Sequence, residues 1–247
     1  MRRLFSVLLF LSVLSLPLFA DDERSVGTKF AVAIEDGDLE AVTALIEDGA
    51  AVDTLIEYGE HSITPLLKAS WDGDLPIVQY LIEKGANVNA RATDTKETAL
   101  MNAVTRGHTD IVKALLAAKA DVKLRNSFDF NAFTAAVAAG NQEIAALLLD
   151  AGAKVGDGAS GLTPLAFAVS GGNIEMIRFL ASHGADVNQG ALISAILGAQ
   201  VEAVKTLIEL KADVNAKSKD GMTPLKLAKK GDQEEIVALL VAAGAKQ

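Results

Sequence analysis

The 247-residue chain has no cysteine, one tryptophan, two tyrosines, three histidines and five prolines. Without cysteine there can be no disulfide, no thiol nucleophile, no thiolate zinc site and no cysteine-linked lipid, so stability must come from packing. Basic residues are also scarce, 23 Lys and Arg against 32 Asp and Glu for a net charge of −9. That balance argues against nucleic acid as a partner, because phosphate binding needs a basic face. Long apolar runs are missing everywhere except at the start of the chain.

That start, MRRLFSVLLFLSVLSLPLFA, has Arg2 and Arg3, an apolar run from Leu4 to Leu16 interrupted only by serine, then Pro17 and Ala20. This is the layout of a secretory signal peptide. Cleavage is expected after Ala20, ahead of Asp21, Asp22 and Glu23, although Leu18 is large for its place in such a site. An uncleaved anchor is the alternative, since roughly 17 to 25 apolar residues can span a bilayer. The expected organisation is therefore a signal at 1–20, a short segment at 21–27 and one domain over 28–247. The expected location is the periplasm, with secretion or N-terminal tethering as alternatives and no membrane contact once the signal is removed. The mature part would carry 21 basic residues against 32 acidic ones.

Alanine, leucine and glycine recur with a period. Units start at Thr28, Thr64, Thr98, Asn131, Thr163, Gly190 and Thr223, at spacings of 36, 34, 33, 32, 27 and 33 residues. In that register the fifth residue after each start is alanine in all seven units (Ala33, Ala69, Ala103, Ala136, Ala168, Ala195, Ala228). The seventeenth is leucine in all seven, from Leu45 to Leu240, and the twenty-second is alanine in all seven, from Ala50 to Ala245. Each unit reads as two short antiparallel helices. Thr64, Thr163 and Thr223 can cap the first helix, with Pro65, Pro164 and Pro224 at the first helical position. Gly73, Gly107, Gly140 and Gly172 should end it. Apolar pairs four residues apart, such as Ile77 and Val78 with Leu81 and Ile82, make one buried stripe on the second helix. Helices of two or three turns are marginal alone, so the units must stack around one continuous core.

The Thr-Pro-Leu starts, the glycine between helices and the exit Gly184-Ala185-Asp186-Val187-Asn188 resemble the ankyrin repeat over about residues 28–246. The resemblance implies an all-α solenoid of seven stacked helix-turn-helix units with short β-hairpin fingers between them. It also implies protein–protein binding through the fingers and the concave face made by the first helices. The chain departs from the pattern in places. Where the family has histidine after Thr-Pro-Leu, this chain has Leu67, Met101, Ala166 and Lys226. At the next, usually apolar, position stand Lys68, Asn102 and Ser194; a snorkelling lysine with solvated neighbours is expected, and the alternative is local packing or a polar cluster with Asp72 and Arg106, each one helical turn further on. The unit starting at Gly190 lacks Thr-Pro and the residues for a finger, so the weakest junction is expected there. Charged residues on the end units suit capping repeats.

No enzyme reading gains support. His61, His108 and His183 fall in different units at non-equivalent positions. Gly156, Gly158 and Gly161 spell GxGxxG, but without a βαβ unit the string reads as a finger tip, not a dinucleotide site. No metal and no cofactor are expected. The seventh and eighth residues of the units should point outward: Glu35 and Asp36, Trp71 and Asp72, Thr105 and Arg106, Ala138 and Ala139, Ser170 and Gly171, Leu197 and Gly198, Lys230 and Gly231. Tryptophan and arginine are enriched in binding hot spots, so the candidate partner-binding residues are Trp71, Asp72 and Arg106, with Tyr58, His61, Arg91, Phe128, Asp129 and Phe130 on nearby loops. Phe128 and Phe130 could instead fold back on their loop. The function expected is non-enzymatic binding of a protein partner; the alternatives are an inhibitor or immunity protein against a secreted toxin, or an accessory factor for a periplasmic enzyme.

Overall fold

The computed structural model describes residues 25–188, 190–218 and 220–246. The expected signal at 1–20 and residues 21–24 of the following segment lie outside the described residues.

The described chain forms seven helix pairs. They are α1 (Val26–Glu35) with α2 (Leu39–Glu47), α3 (Pro65–Asp72) with α4 (Leu75–Glu83), α5 (Ala99–Arg106) with α6 (Thr109–Ala117), and α7 (Ala132–Ala139) with α8 (Gln142–Asp150). The remaining pairs are α9 (Pro164–Ser170) with α10 (Ile174–Ser182), α11 (Ala191–Leu197) with α12 (Val201–Glu209), and α13 (Pro224–Lys230) with α14 (Glu234–Ala242). First helices pack in one row, α1 on α3 and so on to α11 on α13, and second helices in another. The fifth-position alanines are buried in every unit. The seventeenth-position leucines are buried in units two to seven, with Leu45 packed against the same core. Small alanines let helices approach closely, and the leucines fill the space between the two rows.

Local chemistry sets the boundaries. The side chains of Thr64, Thr98, Asn131, Thr163 and Thr223 each accept a backbone N–H at the start of their helix. In the first unit Ser25 does this, and Thr28 lies inside α1. The chain leaves each first helix through a left-handed residue. Glycine holds that place in units one to five, but Ala199 (φ 51°) and Asp232 (φ 52°) hold it in the last two. After the second helix the matching residue is glycine except at Lys119 (φ 66°) and Lys211 (φ 68°).

One position, just before each second helix, works in two ways. Asp38, Asp74, Asn141 and Asn173 accept a backbone N–H of their own helix. His108, Gln200 and Gln233 are too long to do so and reach the preceding unit instead, to the carbonyl oxygens of Trp71 (3.2 Å), Ser170 (3.5 Å) and Ile196 (2.8 Å). A short side chain serves its own helix and a long one serves its neighbour.

The fingers begin as the antiparallel hairpin β1 (Ile56–Tyr58) and β2 (His61–Ile63). Finger two is closed by an Arg91–Thr98 bridge and finger four by an Ala159–Leu162 bridge. In finger three the Asn126 N–H donates to the Phe130 carbonyl (2.8 Å). A last finger is closed the same way from Ser218 to Met222 (2.9 Å). The GxGxxG string lies in finger four, where a Cβ on Gly158 would stand 1.8 Å from the Leu162 carbonyl oxygen. Between units five and six α11 starts directly after Gly190, and no finger is formed among the described residues.

The snorkelling of Lys68 and the solvation of Asn102 are corrected. Lys68 does not snorkel: its side chain is 6% exposed and its ammonium lies 2.7 Å from Asp72. Asn102 is likewise buried, because its amide donates to the Leu67 carbonyl of the preceding unit (3.1 Å). The fingerless junction is also well tied. Asn188 accepts the Asp213 N–H (2.8 Å), Gln200 reaches Ser170, and Arg178 pairs with Glu209 (2.6 Å). The loss of a finger is offset there by contacts elsewhere along the same interface.

Candidate functional site

The outward positions of the first helices are exposed in all seven units, with Trp71 alone half-buried. Trp71 and Asp72 end α3, and Arg106 ends α5. Because the two helices stack side by side, the Arg106 guanidinium lies 5.1 Å from the Trp71 ring centre, across the boundary between units two and three. The ring quadrupole attracts the cation, and the pair presents one flat aromatic and cationic surface. His108 holds the base of this arrangement through its contact with the Trp71 carbonyl, and its ring fills the space over Gly73 where a Cβ would stand 2.7 Å away. Asp72 lies beside them with its carboxylate held by Lys68.

Tyr58, at the end of β1, joins this cluster from the finger side. Burial pushes its hydroxyl up to about 12, and the carboxylates of Asp72 and Glu35 add to the effect. Four of the expected residues, Tyr58, Trp71, Asp72 and Arg106, therefore form one neighbourhood at the end of the stack nearest α1.

Most of the loop residues serve another purpose. His61 faces Asp94 of the next finger at 3.3 Å. Arg91 donates to the Lys96 carbonyl of its own finger and the Arg125 carbonyl of the next. Asp129, left-handed at φ 66°, accepts from Arg125 (3.2 Å) and from the Ser160 N–H of finger four (2.8 Å). These three lace the fingers into a ridge, so their polar groups are engaged within the protein. The two phenylalanines part company. Phe130 packs on Phe167 with ring centres 5.3 Å apart, whereas Phe128 is 62% exposed at the tip of finger three.

Sequence reasoning overlooked Arg125, which donates to the carbonyls of Asp129 (2.6 Å) and Gly158 (2.7 Å) and so ties fingers three and four. The available signal was its place four residues before Asp129. Burial at Glu97, between fingers two and three, raises its carboxyl pKa, against hydrogen bonds from Asn126 and Thr95 that lower it. Along the first helices of units four to six no residue is charged, and Leu197 there is 70% exposed. Lys226, Lys229 and Lys230 then stand at the far end, opposite in sign to Glu35 and Asp36.

Comparison with known proteins places this arrangement. A family model described as ankyrin repeats (three copies) matches residues 30–126, 100–191 and 188–247. The mouse B-cell lymphoma 3 protein homolog is 36% identical over 117 residues, 44% of this chain and 26% of that protein. A putative ankyrin repeat protein of fowlpox virus is 29% identical over 162 residues, 60% of this chain and 48% of that one. The chain thus spans less than half the length of these curated relatives. Among solved structures, an ankyrin repeat domain from Acinetobacter baumannii aligns with a TM-score of 0.67 at 30% identity, covering 74% of this chain and 98% of that domain. The ankyrin repeat domain of Bcl-3 aligns with a TM-score of 0.75 at 28% identity, covering 86% and 97%. Ankyrin repeats mediate protein–protein interaction. With the family model matching almost the whole described chain and the seven stacked helix pairs in agreement, this chain belongs to the ankyrin-repeat family.

Proposed function

We propose that the chain is a non-catalytic binding protein that docks a protein partner on the first-helix surface around Trp71, Arg106, Asp72 and Tyr58, with Phe128 as an outlying apolar anchor. The observation that carries this reading is the stacking of Arg106 on Trp71 across two units. Both residue types are over-represented where binding energy concentrates, and a pre-stacked pair loses little side-chain freedom on docking. Arg91, His61 and Asp129 act by holding the finger ridge in place, and Phe130 by packing on Phe167. The layout of residues 1–20 supports action outside the cytoplasm, in the periplasm, where the partner would be met.

Capture from an envelope extract with wild type, Trp71→Ala and Arg106→Glu tests the reading, with helical circular dichroism confirming that all three are folded. The wild type should retain a partner that both variants lose. Equal capture by the three would overturn the assigned surface.

A further inference from the structure

We infer that the stack is two blocks, units one to four and units five to seven, joined by a seam at which the molecule bends and first comes apart. In a solenoid, stability is a sum of unit and nearest-neighbour terms, so opening begins at the least-connected interface. Every junction but one has polar links between neighbouring units among the described residues.

A recurring link sets the pattern. Asp53 accepts the Asn87 N–H, Asn89 that of Asp121, Asn188 that of Asp213, and Asn215 that of Lys246. The residues in the same place in units three and four are Lys123 and Gly156, and neither accepts a bond. Between units three and four the loss is covered by Arg125, Asp129 and Ser160 in the fingers and by Lys113 facing Glu143 at 3.6 Å. Between units four and five nothing covers it. Among the described residues finger four has no finger beyond it to bond to, and Asn173, whose side-chain oxygen caps its own helix, only rests its amide nitrogen over Gly140 of unit four without a hydrogen bond across the junction. The Asp186 N–H, which an asparagine at 156 would engage, has no acceptor among the described residues. The α8–α10 pair is also the most loosely packed of the second-helix row.

A cleft of about 150 Å³ opens at this place, lined by Val155, Gly156, Pro164, Leu165, Ala185 and Asp186 among others. The contacts that remain are apolar, chiefly α7 on α9 and the Phe130–Phe167 ring pair. Apolar burial is non-directional, so it holds the blocks together without fixing their angle, as a set of hydrogen bonds would. The seam also separates Trp71 and Arg106 on one block from Leu197 and the terminal lysines on the other. A partner spanning both would select one angle between them.

Gly156→Asn provides the test, since its backbone is not left-handed and a Cβ there meets nothing within 4 Å. The chain has no native cysteine, so spin labels can be placed on the full-length protein at Glu143→Cys with Glu175→Cys across the seam, and at Glu175→Cys with Glu202→Cys across the next junction. The seam pair should give the broader distance distribution, and adding Gly156→Asn should narrow it to the reference width. Native-state hydrogen exchange should show α9–α14 opening as a group at least tenfold more often than α1–α8, with Gly156→Asn closing most of that gap. A seam pair no broader than the reference, one uniform exchange group along the chain, or Gly156→Asn changing neither readout would overturn the inference.

Discussion

The Lys68 ammonium lies 2.7 Å from the Asp72 carboxylate one helical turn further on, with the lysine side chain 6% exposed and the carboxylate 25%. A buried pair of this kind adds little over an apolar filling of the same shape, but removing one member strands the other. Asp72→Ala should therefore cost about 3 kcal/mol, because it leaves the buried ammonium unpaired, whereas Lys68→Met should cost less, because the carboxylate it leaves keeps access to solvent. Urea denaturation of both variants gives the comparison, and the opposite order would contradict the buried-pair reading.

Tyr58 should ionise late. Its pKa is raised from 10.0 to about 12 by burial first and by Asp72 and Glu35 second. A group whose folded pKa is raised contributes stability that is complete below its unfolded pKa and lost as pH climbs through the folded value. Stability should thus fall between about pH 10 and pH 12. Ultraviolet titration of phenolate absorbance should show this late step in the Tyr80→Phe variant. Asp72→Asn should lower its midpoint without restoring 10.0, because burial is the largest cause.

Left-handed residues other than glycine cost about 1 kcal/mol. Ala199, Lys119 and Lys211 occupy places where the other units hold glycine almost throughout. Each changed to glycine should gain about 0.5–1 kcal/mol, less than the full strain because glycine also loosens the unfolded chain. Thermal melts of the three single variants and their combination measure the gain; unchanged or lower midpoints would refute it.

Gly27 has the opposite requirement. A Cβ there would sit 2.2 Å from the Leu55 carbonyl oxygen, where the chain enters β1. Gly27→Ala should destabilise by about 1–3 kcal/mol, as overpacking does, and hydrogen exchange should rise mainly in α1 and α2. Unaltered exchange there would mean that the backbone can yield.

Much of this architecture could be read from composition in register. The invariant alanine and leucine columns located all seven helix pairs, since a position that must stay small or buried in every unit leaves a periodic trace. Thr64, Thr163 and Pro164 announced helix starts for the same local reason. The buried state of Lys68 left no such trace, because burial at that place depends on the helices to either side. Most of the fate of Arg91, His61 and Asp129 was hidden as well: apart from the local contacts of Arg91 with Lys96 and of Asp129 with Arg125, their partners lie on a neighbouring finger about one unit away in sequence, where spacing within a single unit does not reveal them. The repeat register places Trp71 and Arg106 outward, yet their stacking follows only from the lateral packing of α3 on α5.

The residue before each second helix has a further consequence for exchange of parts. Unit five, with the side-chain oxygen of Asn173 bonded to its own helix, takes no hydrogen bond from the unit before it at that place, and could be replaced as a cassette wherever that unit keeps a glycine under the asparagine, as Gly140 does. Units six and seven cannot, because Gln200 and Gln233 each need a carbonyl from the unit upstream. Side-chain length at one position thus decides which segments of the array evolution or an engineer can shuffle and which must travel with a neighbour.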